Sequence, residues 1–459
     1  MPDFSIFNLA SGQSTTMAPL GALYVVAAAE ESGYTTAFHD YALESGPDLF
    51  EIDRIARFLE REDVPVVGIS CFAGMLPYAV LAAAKLRQTR PGVKIVLGGP
   101  GPSAVASQLL ATFPAIDFVV YGEGEDTAVE LLNSLSHGTP EFSSISGLAW
   151  RTAHSEVVVN PGRVRQKDLD QISFPAYDHV NLTAYDVVGV VYARGCPYSC
   201  TYCDVVSMWR RQNITRSVGN VLTEIDWLRN NGVRHIAFVD DLFTVDRKRT
   251  LEFCSEFERR GLPASWGCST RVDRVDSELL EAMGAAGCNY IFYGVESGSP
   301  AILARINKII PFEHTVEAVR KSSSLGMYVH TPLMWGFPFE TLADFEQTLV
   351  FGEYLKHCRA NVFYTLATPL PGTALFDEFH DRLAFRPDIY STIIAPGRKV
   401  DLSEVAPTIA AYPRLFSGFY HFLDGGVDEK SRIGRRKGLN LSDIRISSLT
   451  GAEPDMAAH

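Results

Sequence analysis

The chain of 459 residues is 46% hydrophobic and 21% charged, with a mean hydropathy near zero. This excludes a mainly disordered state, and at roughly 100–200 residues per domain it predicts two or three domains. Its 41 basic and 54 acidic residues give a net charge of −13, so the phosphate-neutralising excess of a general nucleic-acid binder is missing and a small or uncharged substrate is expected. No apolar run reaches the roughly 18–20 residues that cross a bilayer, and the start MPDFSIFNLASGQ lacks the features of a signal peptide, so the reading is cytoplasmic with no membrane partner.

Residues 1–138 alternate short β-rich runs with helical stretches, the pattern of a doubly wound, Rossmann-like parallel sheet. Strands are predicted at Phe4–Leu9, Thr35–His39, Val64–Ser70, Val93–Leu97 and Phe118–Tyr121, with helices near 19–32, 49–61, 77–89, 103–112 and 125–136. Ligands of such sheets bind at the carboxyl ends of the strands, where Ala10–Gln13, Ser70–Gly74 and Gly98–Ser103 are rich in small residues. Residues 139–186 read as a hairpin (Ile145–Arg151, Glu156–Asn160) inside a linker. From 187 to 375 the β/α pattern resumes, with strands near 187–193, 235–239, 264–269, 289–294, 327–333 and 361–366, and helices near 216–231, 247–260, 276–286, 300–324 and 341–357. Six units predict a partial (β/α)6 barrel. Residues 376–459 form a C-terminal extension with one helical stretch, 402–422, and a polar end expected to be loose.

Five of the eight cysteines (Cys71, Cys254, Cys268, Cys288, Cys358) stand alone among apolar residues and read as core. The other three form Cys196-Pro-Tyr-Ser-Cys200-Thr-Tyr-Cys203 directly after the first barrel strand. Three thiols at that spacing point to a metal or to redox chemistry. A structural zinc closes with four ligands, yet downstream there is no further Cys or His before His235. Three ligands with an open fourth position suit a [4Fe–4S] cluster whose unique iron binds an exchangeable group.

With Tyr202 as the aromatic residue, this loop resembles the C-x3-C-x-aromatic-C signature of the radical S-adenosylmethionine (SAM) superfamily. Later motifs resemble it too: Phe238-Val-Asp240-Asp241-Leu-Phe243, Thr270-Arg271-Val-Asp273, Gly294-Val-Glu296-Ser297-Gly298-Ser299, Gly336-Phe-Pro-Phe-Glu340-Thr341 and Pro369-Leu-Pro371-Gly372-Thr373. All fall at carboxyl ends of predicted strands, where barrel enzymes place catalytic groups. The resemblance implies an enzyme whose open iron chelates SAM and whose cluster, charged by an electron donor such as flavodoxin or ferredoxin, cleaves it to a 5′-deoxyadenosyl radical. Glu296 and Ser297 are expected to accept from the ribose hydroxyls or the SAM amine, Arg271 to pair with the SAM carboxylate, and Asp240 or Asp241 to hold the ammonium end. Tyr198, Trp209 and Trp335 are expected near the barrel mouth.

The first domain in turn resembles the cobalamin (B12)-binding domain that precedes the barrel in one branch of that superfamily. The resemblance rests on Ala18-Pro-Leu-Gly21-Ala-Leu-Tyr24, Val67-Gly68-Ile-Ser70, Leu97-Gly98-Gly99-Pro100 and Tyr121-Gly122-Glu123-Gly124-Glu125. It implies cobalamin contacts at Ser70, Cys71, Gly98, Gly99, Gly122 and Glu123. Where histidine-on cobalamin domains carry D-x-H-x-x-G, this chain has Thr16 and Ala18 at the Asp and His positions. The cobalt is therefore expected to lack a protein nitrogen, with His39 reading as a structural residue.

The function implied is a cobalamin-dependent radical SAM methyltransferase acting on an unactivated carbon, or on phosphorus, of a small molecule or peptide. The same architecture also serves ring contraction, cyclisation and rearrangement. A tRNA methylthiotransferase would carry three N-terminal cysteines, but residues 1–150 contain only Cys71. A non-catalytic metal-binding protein would lack the SAM motifs.

Overall fold

The computed structural model describes residues 2–10, 16–46, 48–387 and 401–437. The N-terminal strands are β1 (Phe4–Leu9), β2 (Thr36–Asp40), β3 (Val66–Cys71), β4 (Lys94–Gly98) and β5 (Phe118–Val120), all parallel. Their residues read as near-continuous apolar runs because helices cover both faces of the sheet. The predicted hairpin forms as β6 (Leu148–Arg151) and β7 (Val157–Val159), but it is not free linker. It pairs antiparallel with β5 and completes a sheet of order β2-β1-β3-β4-β5-β6-β7. Asn160 fixes it there, its side-chain amide donating to the Phe142 and Ile145 carbonyls.

The second domain begins with β8 (Val188–Val190), followed by the two-residue strands β9 (Ala193–Arg194) and β10 (Ile214–Thr215), which pair with each other. Next come β11 (His235–Phe238), β12 (Ser265–Thr270), β13 (Cys288–Tyr293), β14 (Tyr328–Trp335) and β15 (Asn361–Leu366). With β8 they make a six-stranded parallel sheet of order β15-β14-β13-β12-β11-β8, the partial barrel expected. Residues facing its helices, among them Phe238, Trp266, Ile291, Tyr293 and Leu333, form one buried cluster.

Two expected helices are broken. The stretch 300–324 is two helices, Pro300–Arg305 and Phe312–Ser324, because Asn307 adopts φ +57 and Pro311 cannot donate to the preceding turn. The stretch 402–422 keeps only Ala406–Ala411 as helix. Pro413 and Gly418 follow, and a final pair β16 (Leu383–Phe385) and β17 (Tyr420–Phe422) forms antiparallel. This extension joins the core of the first domain through Val405, Ile409, Phe416 and Phe419. It also reaches the barrel, where the Lys430 ammonium is buried against Glu340 at 2.7 Å. The expected loose end, beyond residue 437, lies outside the described residues.

The domains meet through the helix Leu20–Glu31, whose Leu20, Leu23 and Tyr24 belong to the barrel's cluster. Just before it, Met17 forms a parallel bridge with Val187 at the entry to β8. The Asp186 carboxylate accepts from the Thr16 backbone at 2.7 Å.

Candidate active site

The cysteine loop leaves β9 through Gly195, at φ +98. A Cβ there would collide with the Gln212 carbonyl and stand 2.9 Å from Trp209 Cβ, so only glycine fits. The loop backbone is held from below. Asp240 Oδ1 accepts from Tyr192 N at 2.8 Å and Ala193 N at 2.9 Å, and Asp241 Oδ2 from Gly195 N at 3.0 Å. From the side, Asn307 Nδ2 donates to Ser199 O at 3.1 Å and to Ser199 Oγ at 2.7 Å, and Thr201 N donates to Ile306 O at 3.1 Å.

Cys196, Cys200 and Cys203 are partly exposed free thiols, whereas the five isolated cysteines are all buried. Among the described residues these three do not form a set whose ligand atoms all lie within 4.8 Å of one another. A single zinc would draw three sulfurs to about 3.8 Å apart, from Zn–S bonds of about 2.3 Å. A four-iron cluster spaces its thiolates more widely than a single zinc does. Burial pushes all three thiols up, so a bound metal would be needed to make them thiolates.

Around Cys200 stand two buried cations. Arg271 Nη1 lies 4.0 Å from its sulfur, and the guanidinium sits 3.8 Å from the Tyr198 ring centroid while pairing with Asp273 at 2.9 Å. Lys308, which the sequence reading missed because it was assigned to a helix, has its ammonium 2.7 Å from Glu296 Oε1 and 3.4 Å from the Tyr202 hydroxyl. Glu296 itself takes φ +69, turning its carboxylate inward, with its backbone clamped to Pro332 O at 3.1 Å and Met334 N at 2.6 Å. A strained non-glycine residue held this firmly marks a functional position.

Two expected positions, those of Ser297 and Trp335, are corrected, and the aspartates have a further partner. Asp240 and Asp241 each give one carboxylate oxygen to the loop backbone, while Asp240 Oδ2 is buried without a hydrogen-bond partner; desolvation raises the two carboxyls to about 7 and about 6. Ser297 is fully buried, its hydroxyl bonded to Thr348 Oγ1 at 2.9 Å and accepting from Ser299 N. Trp335 turns outward against Phe345, away from the mouth. Tyr198 does lie on the loop, and Trp209 carries the Arg165 guanidinium at 4.4 Å.

In the first domain the carboxyl ends of β3 and β4 pack backbone to backbone. A Cβ on Gly99, at φ +95, would stand 2.9 Å from Cys71 O, and one on Gly101 would stand 2.7 Å from the Phe72 carbonyl carbon. Ser70 is half-buried at this junction. The Cys71 thiol instead enters the core, where burial pushes it up to about 12, so only its backbone faces the strand ends. Gly122 borders open space, at φ +79 with nothing within 4 Å of an added Cβ; at Gly98 a Cβ would meet only the Val120 carbonyl, at 3.8 Å, and Phe72, next to Gly101, is 56% exposed. This open cradle suits a large planar ligand. Glu123 does not face it: its carboxylate accepts from Gln166 N at 3.1 Å and pairs with Arg194 at 3.1 Å, while Arg194 also holds Glu125 at 2.6 Å. Ala18 is buried in the segment tied to Val187, and Ser11–Thr15 lie outside the described residues. His39 stacks on Phe7 and meets Glu62 at 3.2 Å, as a structural histidine.

Residues 190–352 match the family described as the radical SAM superfamily, and residues 14–132 match the B12 binding domain. An uncharacterised methyltransferase of Pyrococcus horikoshii is 32% identical over 371 residues, 79% of this chain and 78% of that protein. The chain belongs to the cobalamin-binding radical SAM enzymes. The cofactor set of these enzymes is a [4Fe–4S] cluster, SAM and cobalamin. A cytidylyl-2-hydroxyethylphosphonate methyltransferase of Streptomyces wedmorensis is 27% identical, covering 78% of this chain and 77% of its own. The fold matches that of the radical SAM methyltransferase TsrM from Kitasatospora setae, solved with cobalamin and a [4Fe–4S] cluster. The TM-score is 0.71 at 17% identity, over 92% of this chain and 88% of that one. No helix among the described residues is long and apolar enough to cross a membrane.

Proposed function

We propose that this radical SAM enzyme transfers a methyl group to an unactivated carbon, or to phosphorus, of a small molecule or peptide. The observation that carries this reading is the Glu123–Arg194 pair. It joins the Gly122 turn, at the carboxyl end of β5, to the residue two before Cys196. The Gly122 turn and the strand that leads into the cysteine loop thus meet through the ion pairs of Arg194 with Glu123 and Glu125, as chemistry shared between a cobalamin and a cluster requires.

Cys196, Cys200 and Cys203 hold the cluster. Glu296, oriented by Lys308, takes the SAM amine or ribose, and Arg271 takes its carboxylate through a charge-assisted bond. Gly98, Gly122 and the backbone of Ser70 and Cys71 line the cobalamin seat, with Gly99 shaping the turn. When bound, the cluster and SAM supply a carbon-centred radical and cobalamin supplies a transferable methyl. The chain's own residues fix the reactants and exclude water between the domains. The electron enters from a separate one-electron donor protein such as flavodoxin or ferredoxin.

Relatives of 26–28% identity named anaerobic magnesium-protoporphyrin IX monomethyl ester cyclase support a second outcome, oxidative ring closure without methyl transfer. Product mass separates them. Methyl transfer from deuteromethyl-SAM gives a product heavier by a labelled methyl; cyclisation gives an unlabelled product lighter by hydrogen.

A further inference from the structure

The inner face of the barrel sheet is divided into two unlike halves. On β8, β11 and β12 the inward residues include the small Gly189, Ala237, Gly267 and Ser269, with His235 and Ser265 at the amino ends. On β13–β15 they are rings, with Tyr290, Phe292, Tyr328, His330 and Phe363 all on the inward side. Their alternate neighbours Ile291, Tyr293, Val329 and Tyr364 pack outward into the helix layer. This inward face is accessible only in part, since Gly189, Gly267 and His330 are buried. Ala237, Ser269, Tyr290, Phe292 and Phe363 are half-buried and Val239 is 40% exposed, while the outward residues are buried. A closed barrel would fill this space with layers of branched side chains. Here a trough runs beneath the cysteine loop, with Ala237 and Ser269 on its small side and an aromatic wall, while the Leu20 and Val239 side chains cover Gly189 and the Tyr290 ring covers Gly267. His330 lies two residues before Pro332, whose carbonyl binds Glu296 N, so the wall stands about 7 Å below the Glu296 level at ~3.3 Å per residue.

The wall carries a directed polar edge. Asn361 Nδ2 donates to the Tyr328 oxygen at 3.0 Å and to His330 Nε2. An imidazole that accepts at Nε2 carries its proton at Nδ1, which lies 2.6 Å from the Tyr290 oxygen. Both phenol oxygens therefore already accept, and the Tyr290 and Tyr328 O–H protons are left to donate. Burial keeps His330 neutral, so the wall offers no charge.

We propose that this trough seats the molecule acted on, and that this molecule is a flat, conjugated ring system with a hydrogen-bond acceptor on one edge. Its face lies along Phe292 and Phe363, and its carbonyl or ring nitrogen accepts a hydrogen bond from the Tyr290 hydroxyl. The proposal rests on the enzyme reading above for the identity of the seated molecule, but the trough itself is formed by protein alone.

Three probes test it on the full-length, cluster- and cobalamin-loaded protein, by equilibrium binding: coumarin (flat, with a carbonyl), naphthalene (flat, no acceptor) and 1-decalone (a carbonyl on a puckered frame). Coumarin is expected to bind about five- to tenfold tighter than either of the others, the size of one net hydrogen bond or one aromatic contact. Tyr290→Phe should erase the preference for coumarin over naphthalene, and Phe363→Ala should weaken both flat probes. Ala237→Phe, which fills the trough from its small side, should block all three. Equal binding of coumarin and 1-decalone, no binding of coumarin, or indifference to all three substitutions would overturn the proposal. SAM affinity and 5′-deoxyadenosine formation on the same samples separate the two readings. If they persist while the probes ignore the trough, the proposal alone falls; if they are absent while coumarin still binds there, the enzyme reading falls.

Discussion

Replacing Lys308 by Met removes the cation from a pair whose side chains are 6% and 8% exposed and leaves the Glu296 carboxylate buried without a counter-charge. Breaking a buried pair from one side costs about 3–5 kcal/mol, most of it the stranded charge. Two consequences are expected. In urea, Lys308→Met should unfold with stability lower by about that amount at an unchanged m-value. On cluster-loaded protein, SAM affinity measured by equilibrium dialysis should fall roughly ten- to a hundredfold, because Glu296 loses the orientation behind a charge-assisted bond of about 1.5–3 kcal/mol. The double variant Lys308→Met/Glu296→Gln should recover stability, since no charge is stranded, but not SAM binding. Unchanged SAM affinity in Lys308→Met with iron content intact would refute the placement of SAM at Glu296.

Gly195→Ala should cost the protein its cluster more than its fold: the added methyl meets the Gln212 carbonyl beside Cys196, so iron content should drop while far-UV circular dichroism is kept. His330 is held by burial at about 4 against 6.5 unfolded; its folded value is depressed, so the unfolded chain binds the extra proton. Stability should therefore fall as pH drops from about 6.5 to 4, by up to about 3 kcal/mol. His330→Gln should flatten that slope, and an identical slope in the variant would show that His330 is not its source. With Ala18 at the ligand position, electron paramagnetic resonance of the cob(II) form should show no nitrogen superhyperfine splitting from the protein. Observing it would restore a histidine such as His39.

The strand positions and the cysteine loop were legible because both depend on local pattern. Apolar runs ending in Gly or Ser mark parallel strands, and thiol spacing marks a cluster. What sequence missed depends on which way a side chain turns. Asp240 and Asp241 both bond the loop backbone, since the chain bends after β11 and alternation no longer separates them. Glu123 turns to Arg194 across a domain contact no local pattern encodes. Lys308 was hidden inside an apparently continuous helix; the Asn307 and Pro311 flanking it were the available signals. Gly99 carries a similar lesson. Its freedom serves the contact with the Cys71 backbone, so a bulky residue there is expected to shift the β3 loop itself, not merely obstruct a ligand.

The central claim is that three cysteines of one loop carry a [4Fe–4S] cluster beside a cobalamin. Iron, sulfide, zinc and cobalt analysis of anaerobically reconstituted protein tests it directly, in the native chain and in Cys200→Ala. The native protein should hold about four irons and four sulfides with one cobalamin, and Cys200→Ala should lose the iron and sulfide while keeping the cobalt. Stoichiometric zinc without sulfide in the native protein would contradict the account.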